Sequence, residues 1–231
     1  MFKPTTLIIV LALFFSGYWF YQQMLTPQSD GTVRVNNLPW QITVVNEHTL
    51  HVFDLDIGQA TLGDAVKVLK SEYDMAWFEN QDDSISLEAY FIRVNISGLR
   101  AKVLLELDVD GLDRDYLKKN SGKPEIQTSR TIKYPVDDLA QYFNSRIIRS
   151  LTYIPKSNVE AELLKRRFGQ PKETLKLDEN TQFWLYPEKG LVISYSEKGK
   201  EVLQYIPTAD FDRLRQSVLA TIEHTNKQTD E

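Results

Sequence analysis

The densest group of metal-ligand side chains in the chain is the stretch Asp108-Val109-Asp110-Gly111-Leu112-Asp113-Arg114-Asp115. A hard cation such as Ca²⁺ takes about six to eight oxygen ligands. Asp108, Asp110 and Asp113 are spaced to offer three carboxylates from one loop. A strand end running into a helix explains the same acids, because a helix N-terminus favours negative charge. Asp54-Leu55-Asp56-Ile57-Gly58 fits calcium less well, since Gln59 fills the position that needs Gly and Ala65 the position of the bidentate acid. His48 and His51 lie three apart in a predicted hairpin, where regular strand arms point them to opposite faces, and His224 lies in the polar tail.

A second set is aromatic. Trp40, Trp77, Trp184, Tyr186 and Tyr195 can line a groove for a partner peptide or glycan. On sheet positions the same residues also serve as core or cross-strand pairs. Gly122-Lys123 has the end of a phosphate loop, but Leu117 stands where its first Gly belongs. The sequence holds neither a Gly-x-Ser-x-Gly elbow nor a His-Glu-x-x-His zinc motif. With no Cys, disulfides, thiolate metal sites and Cys nucleophiles are excluded. A net charge of −5 argues against nucleic acid as a partner. No cofactor is indicated, and no catalytic residue is assigned.

The elements that must position these residues read as α+β. Residues 5–25 carry no charge, have an apolar centre from Leu7 to Phe15, and end in Tyr18, Trp19 and Tyr21. As a helix this stretch is about 30 Å long, the thickness of a bilayer core. Lys3 precedes it and Asp30 is the first charge after it. This predicts a single-pass anchor, residues 1–25, in a bacterial inner membrane, with the N-terminus cytoplasmic and the rest periplasmic. A cleaved signal peptide fits less well, because Phe14 or Phe15 falls at −3 of the nearest small-residue sites.

A polar linker, residues 26–38, follows. Residues 40–55 alternate around Asn46-Glu47-His48 as a hairpin. Thr61 and Asp64 start a helix with Leu62, Val66, Leu69 and Tyr73 on one face. Residues 84–91 and 100–109 alternate as strands, and 111–117 is a short helix. Pro135 opens another helix. Ser157 and Glu160 form a capping box for a helix that Gly169 ends and Pro171 blocks. Strands are predicted over 173–177, 182–186, 190–196 and 201–206, with a last helix from Asp210.

The two halves share this order about 96 residues apart, Tyr73 matching Phe168. That predicts two α+β modules, residues 39–119 and 136–226, with helices packed on one face of antiparallel sheet. Residues 120–135 connect them, and 227–231 form a disordered tail.

The second module, with Phe168-Gly169-Gln170-Pro171, Phe183-Trp184-Leu185-Tyr186 and Leu191-Val192-Ile193-Ser194-Tyr195, resembles the helix-plus-strands unit of small bacterial envelope proteins. These are the family of the outer-membrane assembly lipoprotein BamE and of the β-lactamase inhibitory protein. The likeness covers residues 157–206, and more weakly about as many in the first half, where Asp74 replaces the helix-ending Gly. It implies a helix on a curved antiparallel sheet and an interaction role. The expected function is therefore non-enzymatic: a membrane-anchored protein, tied to the bilayer through residues 5–25, that binds another envelope protein. The alternatives are an envelope enzyme using acidic residues on a glycan or peptide, and a Ca²⁺- or ligand-binding sensor.

Overall fold

The computed structural model describes residues 36–81, 83–127 and 131–229. A three-stranded meander comes first: β1 (Thr43–Asn46), β2 (Thr49–Val52) and β3 (Leu55–Ile57). Helix α1 (Leu62–Leu69) follows, then β4 (Tyr73–Glu79), β5 (Ile85–Ile96) and β6 (Leu99–Leu107). Next are α2 (Arg114–Asn120), β7 (Glu125–Ile126), β8 (Ile132–Pro135), a 3₁₀ turn (Asp137–Phe143) and β9 (Ile148–Pro155). The chain closes with α3 (Ala161–Phe168), β10 (Glu173–Lys176), β11 (Thr181–Tyr186), β12 (Leu191–Ser196), β13 (Val202–Tyr205) and α4 (Phe211–Thr229).

Strands β4 to β13 form one antiparallel sheet in the order β10-β11-β12-β13-β9-β6-β5-β4-β8-β7. Read outward from the centre, β13-β12-β11-β10 lies on one side and β9-β6-β5-β4 on the other. Each side is a run of antiparallel neighbours preceded in sequence by an eight-residue helix, α3 or α1. The two runs meet where Leu203 pairs with Tyr153, Gln204 with Thr152 and Tyr205 with Leu151.

Alternation decides which side chains enter the core. Leu87, Ala89 and Phe91 of β5, Val103 and Leu105 of β6, and Leu151 and Tyr153 of β9 are buried on one face. They share a cluster with Leu62, Ala65 and Leu69 of α1, Leu164 and Phe168 of α3, and Leu50, Val52, Leu55 and Ile57 of the small meander. In β11 the alternation separates two cores. Trp184 and Tyr186 join that cluster, whereas Phe183 and Leu185 pack with Val192, Ile206 and Phe211, Leu214 and Val218 of α4. The expectation that the helices occupy one face is thus corrected: α4 covers the opposite face at the β11–β12 end.

The membrane expectation is also corrected. Among the described residues no helix is long and apolar enough to cross a membrane. The 19-residue α4 has the length, but Asp212, Arg213, Arg215 and Glu223 make it a surface helix. Residues 5–25 lie outside the described residues, and the inner-membrane and periplasmic placement built on them is withdrawn. The last of the expected linker is held to the fold: Asn37 Nδ2 donates to the Asp54 carboxylate, and the Ser97 hydroxyl donates to the Asn36 carbonyl.

Local starts and stops follow capping chemistry with three exceptions. Thr61 and Asp64 complete a reciprocal capping box on α1, at 3.3 and 3.1 Å. Lys70 ends α1 in the left-handed conformation, so Tyr73 belongs to β4, where it stacks on Phe91 across the strand pair. Helix α3 starts at Glu160 without a side-chain cap. Lys200 Nζ binds the Lys156 carbonyl and Asn158 Oδ1, on either side of Ser157. Pro135 ends β8, where it pairs with Ala76, instead of opening a helix.

The turn between β2 and β3 is strained. Phe53 and Asp54 both have positive φ, 55° and 59°, the pair of values a two-residue hairpin turn requires. Such turns favour Asn and Gly, and a bulky aromatic there is unusual. The ring explains its retention: it stacks on Tyr153 at 5.0 Å and meets Tyr205 edge-on at 5.6 Å, 2% exposed. Phe53→Ala is therefore expected to cost about 3–5 kcal/mol, as measured by urea unfolding.

Candidate functional site

The sequence-predicted aromatics are mostly walled in. Trp77 is fully buried, stacked on Tyr134 at 4.2 Å, and its Nε1 donates to Ser121 Oγ at 2.8 Å. Trp184 is 2% exposed, stacked on Tyr195 at 4.9 Å, with Lys165 Nζ 5.3 Å from its ring centre. Tyr186 is fully buried and its hydroxyl donates to the Gly169 carbonyl at 3.1 Å. These three have no surface to offer a partner. Trp40 and Tyr195 are half-buried, and Arg167 lies 4.7 Å over the Trp40 ring. The five do not form a groove; they are core and cross-strand pairs, with Trp77 on β4 and Trp184 on β11 occupying unlike places in the two strand runs.

Two of the three candidate metal ligands have carboxylates engaged elsewhere, and the third, Asp110, is held through its backbone carbonyl. Asp108 Oδ1 accepts from Arg149 at 3.1 Å, with Arg146 at 4.0 Å. Asp113 caps α2, its Oδ1 accepting from the Tyr116 N–H at 3.0 Å. The Asp110 carbonyl accepts from Arg146 at 2.7 Å. Among the described residues no group of three or more His, Asp or Glu side chains is placed to hold a metal. His51 Nδ1 lies 2.6 Å from Asp56 Oδ1 as a surface pair.

Two surfaces that the sequence pattern did not single out emerge instead. One is the free edge of the small meander. All four residues of β1 are exposed, with Val44 at 40% and Val45 at 57%. Strand β1 pairs with β2 on one side only, and a bulge between Val44 and Asn46 pushes Val45 outward. β3, the other edge of this meander, is covered, since Gly58 donates to the Ile148 carbonyl of β9. The ends of the large sheet are blunted differently. β10 carries Glu173 and Lys176 at its ends, and β7 is two residues long. β1 alone among these edges has neither charge nor proline within it.

The other surface is the face of β5, β6 and β9 turned away from the main core. Its cross-strand rows are Glu88–Glu106–Ser150 and Tyr90–Leu104–Thr152. Glu106 accepts from Arg213 of α4 at 2.7 Å and from Ser150 at 2.8 Å. Burial, and then the charge of Glu106 directly opposite, push the Glu88 carboxyl up to about 7. Glu79 is moved the other way, below the usual carboxylate range, by its hydrogen bond from Lys118.

Comparison with protein-family models, curated proteins and solved structures yields no match. The likeness of residues 157–206 to the BamE pattern therefore rests on those residues alone.

Two outcomes are expected. Glu88 holds a proton in the folded chain that the unfolded chain releases, so its contribution is complete below the unfolded carboxylate value and lost as pH rises through about 7. Stability should fall by about 2 kcal/mol from this group between mildly acidic and mildly alkaline pH, and Glu88→Gln should flatten that slope in chemical unfolding at matched pH values. Ca²⁺ should leave the thermal midpoint where it is, within about 1 °C by scanning calorimetry, because Asp108 and Asp113 already have partners.

Proposed function

We propose that this chain is a non-catalytic binding protein whose partner is another protein, captured at the free edge of β1. The observation that carries this reading is the exposed, uncharged Thr43-Val44-Val45-Asn46 strand, whose outer side has no pairing strand among the described residues. An extended segment added there gains main-chain hydrogen bonds, and Val44 and Val45 give it apolar contacts. Such an edge is a liability unless it is used, since it templates pairing with other strands. The buried Trp77, Trp184 and Tyr186 act as the rigid support under this reading, not as its contact surface.

Chemical cross-linking from an introduced photoreactive residue at Thr43, followed by mass spectrometry, tests it. A discrete protein adduct is expected from the wild-type background. Val45→Lys should reduce that adduct roughly tenfold, because a charged edge residue resists strand addition. Its unfolding midpoint should stay unchanged. Equal yield from both backgrounds would refute the edge as the contact.

A further inference from the structure

Where β5, β6 and β9 end together, a groove of about 560 Å³ opens. Its floor and walls are Tyr90, Ile92, Val94, Ala101, Ile154 and Pro155. Its other lining side chains include Arg93, Arg100, Lys102, Lys156 and Lys200, and no carboxylate lines it. The sequence explains how the site is built. The register of β5 on β6 slips between Phe91 and Val94, so one extra residue is accommodated and Ile92 and Arg93 both turn outward. Ile92 is 42% exposed as a result. Lys102 pairs with Ile154 across β6 and β9, setting a cation beside an apolar wall.

The cations lack acidic partners. Arg93 has one loose contact, 3.7 Å to the fully solvated Glu72. Arg100, Lys102, Lys156 and Lys200 have no ion pair among the described residues; Lys102 leans over the Tyr90 ring at 5.6 Å, and Lys200 binds neutral oxygens of Lys156 and Asn158. Glu201, beside Lys200 in sequence, is 2% exposed and does not line the groove. Five cations gathered in a chain of net charge −5 repel one another and attract an anion. The apolar floor adds a second demand, and the volume falls in the range of small-molecule sites.

We propose that this groove binds a single-chain amphiphile with an anionic head, the acyl chain lying over Ile92, Ile154 and Pro155 and the head among Arg100, Lys102 and Lys156. The site is independent of the β1 edge. Carboxylate and phosphate heads satisfy the same chemistry, and the titration separates them.

Isothermal titration of the full chain with decanoate and with dodecyl phosphate, each below its micelle concentration, is the test. Saturable binding of at least one of them at one site per chain is expected, and whichever binds names the head. Affinity should fall roughly tenfold or more in Lys102→Glu/Lys156→Glu, and with added salt. Ile92→Ser, which leaves every cation in place, should weaken the same ligand by about threefold to tenfold and serves if the charge-reversed variant does not fold. Equal affinity for uncharged decyl maltoside would overturn the proposal, as would equal affinity for inorganic phosphate alone. Tighter binding of a short poly-glutamate peptide would overturn it in favour of an acidic protein segment. No binding of either amphiphile, or unchanged binding in a folded charge-reversed variant, would also overturn it.

Discussion

The pairing of β9 with β13 is the constraint on which the rest of the fold depends. It is the one ladder that joins the two four-strand runs into a continuous sheet, and it is short, three residue pairs. What reinforces it lies outside the ladder. Tyr153 and Tyr205, one from each strand, both project to the main core, and Phe53 packs against both rings. The Tyr205 hydroxyl, fully buried, donates to the Pro39 carbonyl at 3.0 Å. Burial raises both phenols above their ordinary range, Tyr153 to about 12. The small meander therefore acts as a clamp across the seam. The left-handed backbone at Phe53 is tolerated because the ring it delivers closes the seam from above.

This arrangement also explains why the sheet has unequal faces. A sheet wide enough to carry both runs needs cover along its whole core face, which α1, the small meander and α3 supply. On the reverse face α4 covers the β11–β12 end. The central rows of β5, β6 and β9 on that face are left with half-buried polar and apolar side chains in alternation. Such mixed rows carry less apolar burial than a core, and they leave room for titratable groups such as Glu88 and for a ligand groove at their end.

The strands were the most legible part of the sequence, and for a physical reason. Period-two alternation in residues 84–91 and 100–109 is imposed by a sheet with one core face, and these segments correspond to β5 and β6; residues 182–186 and 190–196 are also strands, but apolar on both faces because α4 covers the second one. The capping box at Thr61 was legible too, because both partners are local. Ser157 is not the cap: the helix starts at Glu160, and the residues flanking Ser157, Lys156 and Asn158, bind Lys200 from a distant loop that no local pattern reveals. The aromatics failed as a surface because alternation tells which residues share a face and not whether that face is covered. Trp184 and Phe183 look alike in sequence, yet each sits in a different core. The acids at 108–113 resemble a metal loop in sequence because the partners of Asp108, Arg146 and Arg149, come from the distant β9 and the turn before it.

Several cations on this surface stand beside acids: Lys118 with Glu79, Arg149 with Asp108, Arg213 with Glu106, and Arg215 in a two-pronged contact with Glu173. Exposed pairs of this kind contribute little stability singly, but they leave no local field. The groove at the end of β5, β6 and β9 gathers five cations around apolar side chains, and among the described residues only Arg93 of these has an ion pair. Its cations come from the bulge in β5, the start of β6, the end of β9 and the loop before β13, segments far apart in sequence that only the sheet register brings together. Nothing in folding requires them to meet there, since the turn and the bulge can be made with neutral residues. A bulge that turns an isoleucine and an arginine outward together, at the mouth of an apolar groove rimmed by further unpaired cations, is better accounted for by something that binds than by anything the fold itself demands.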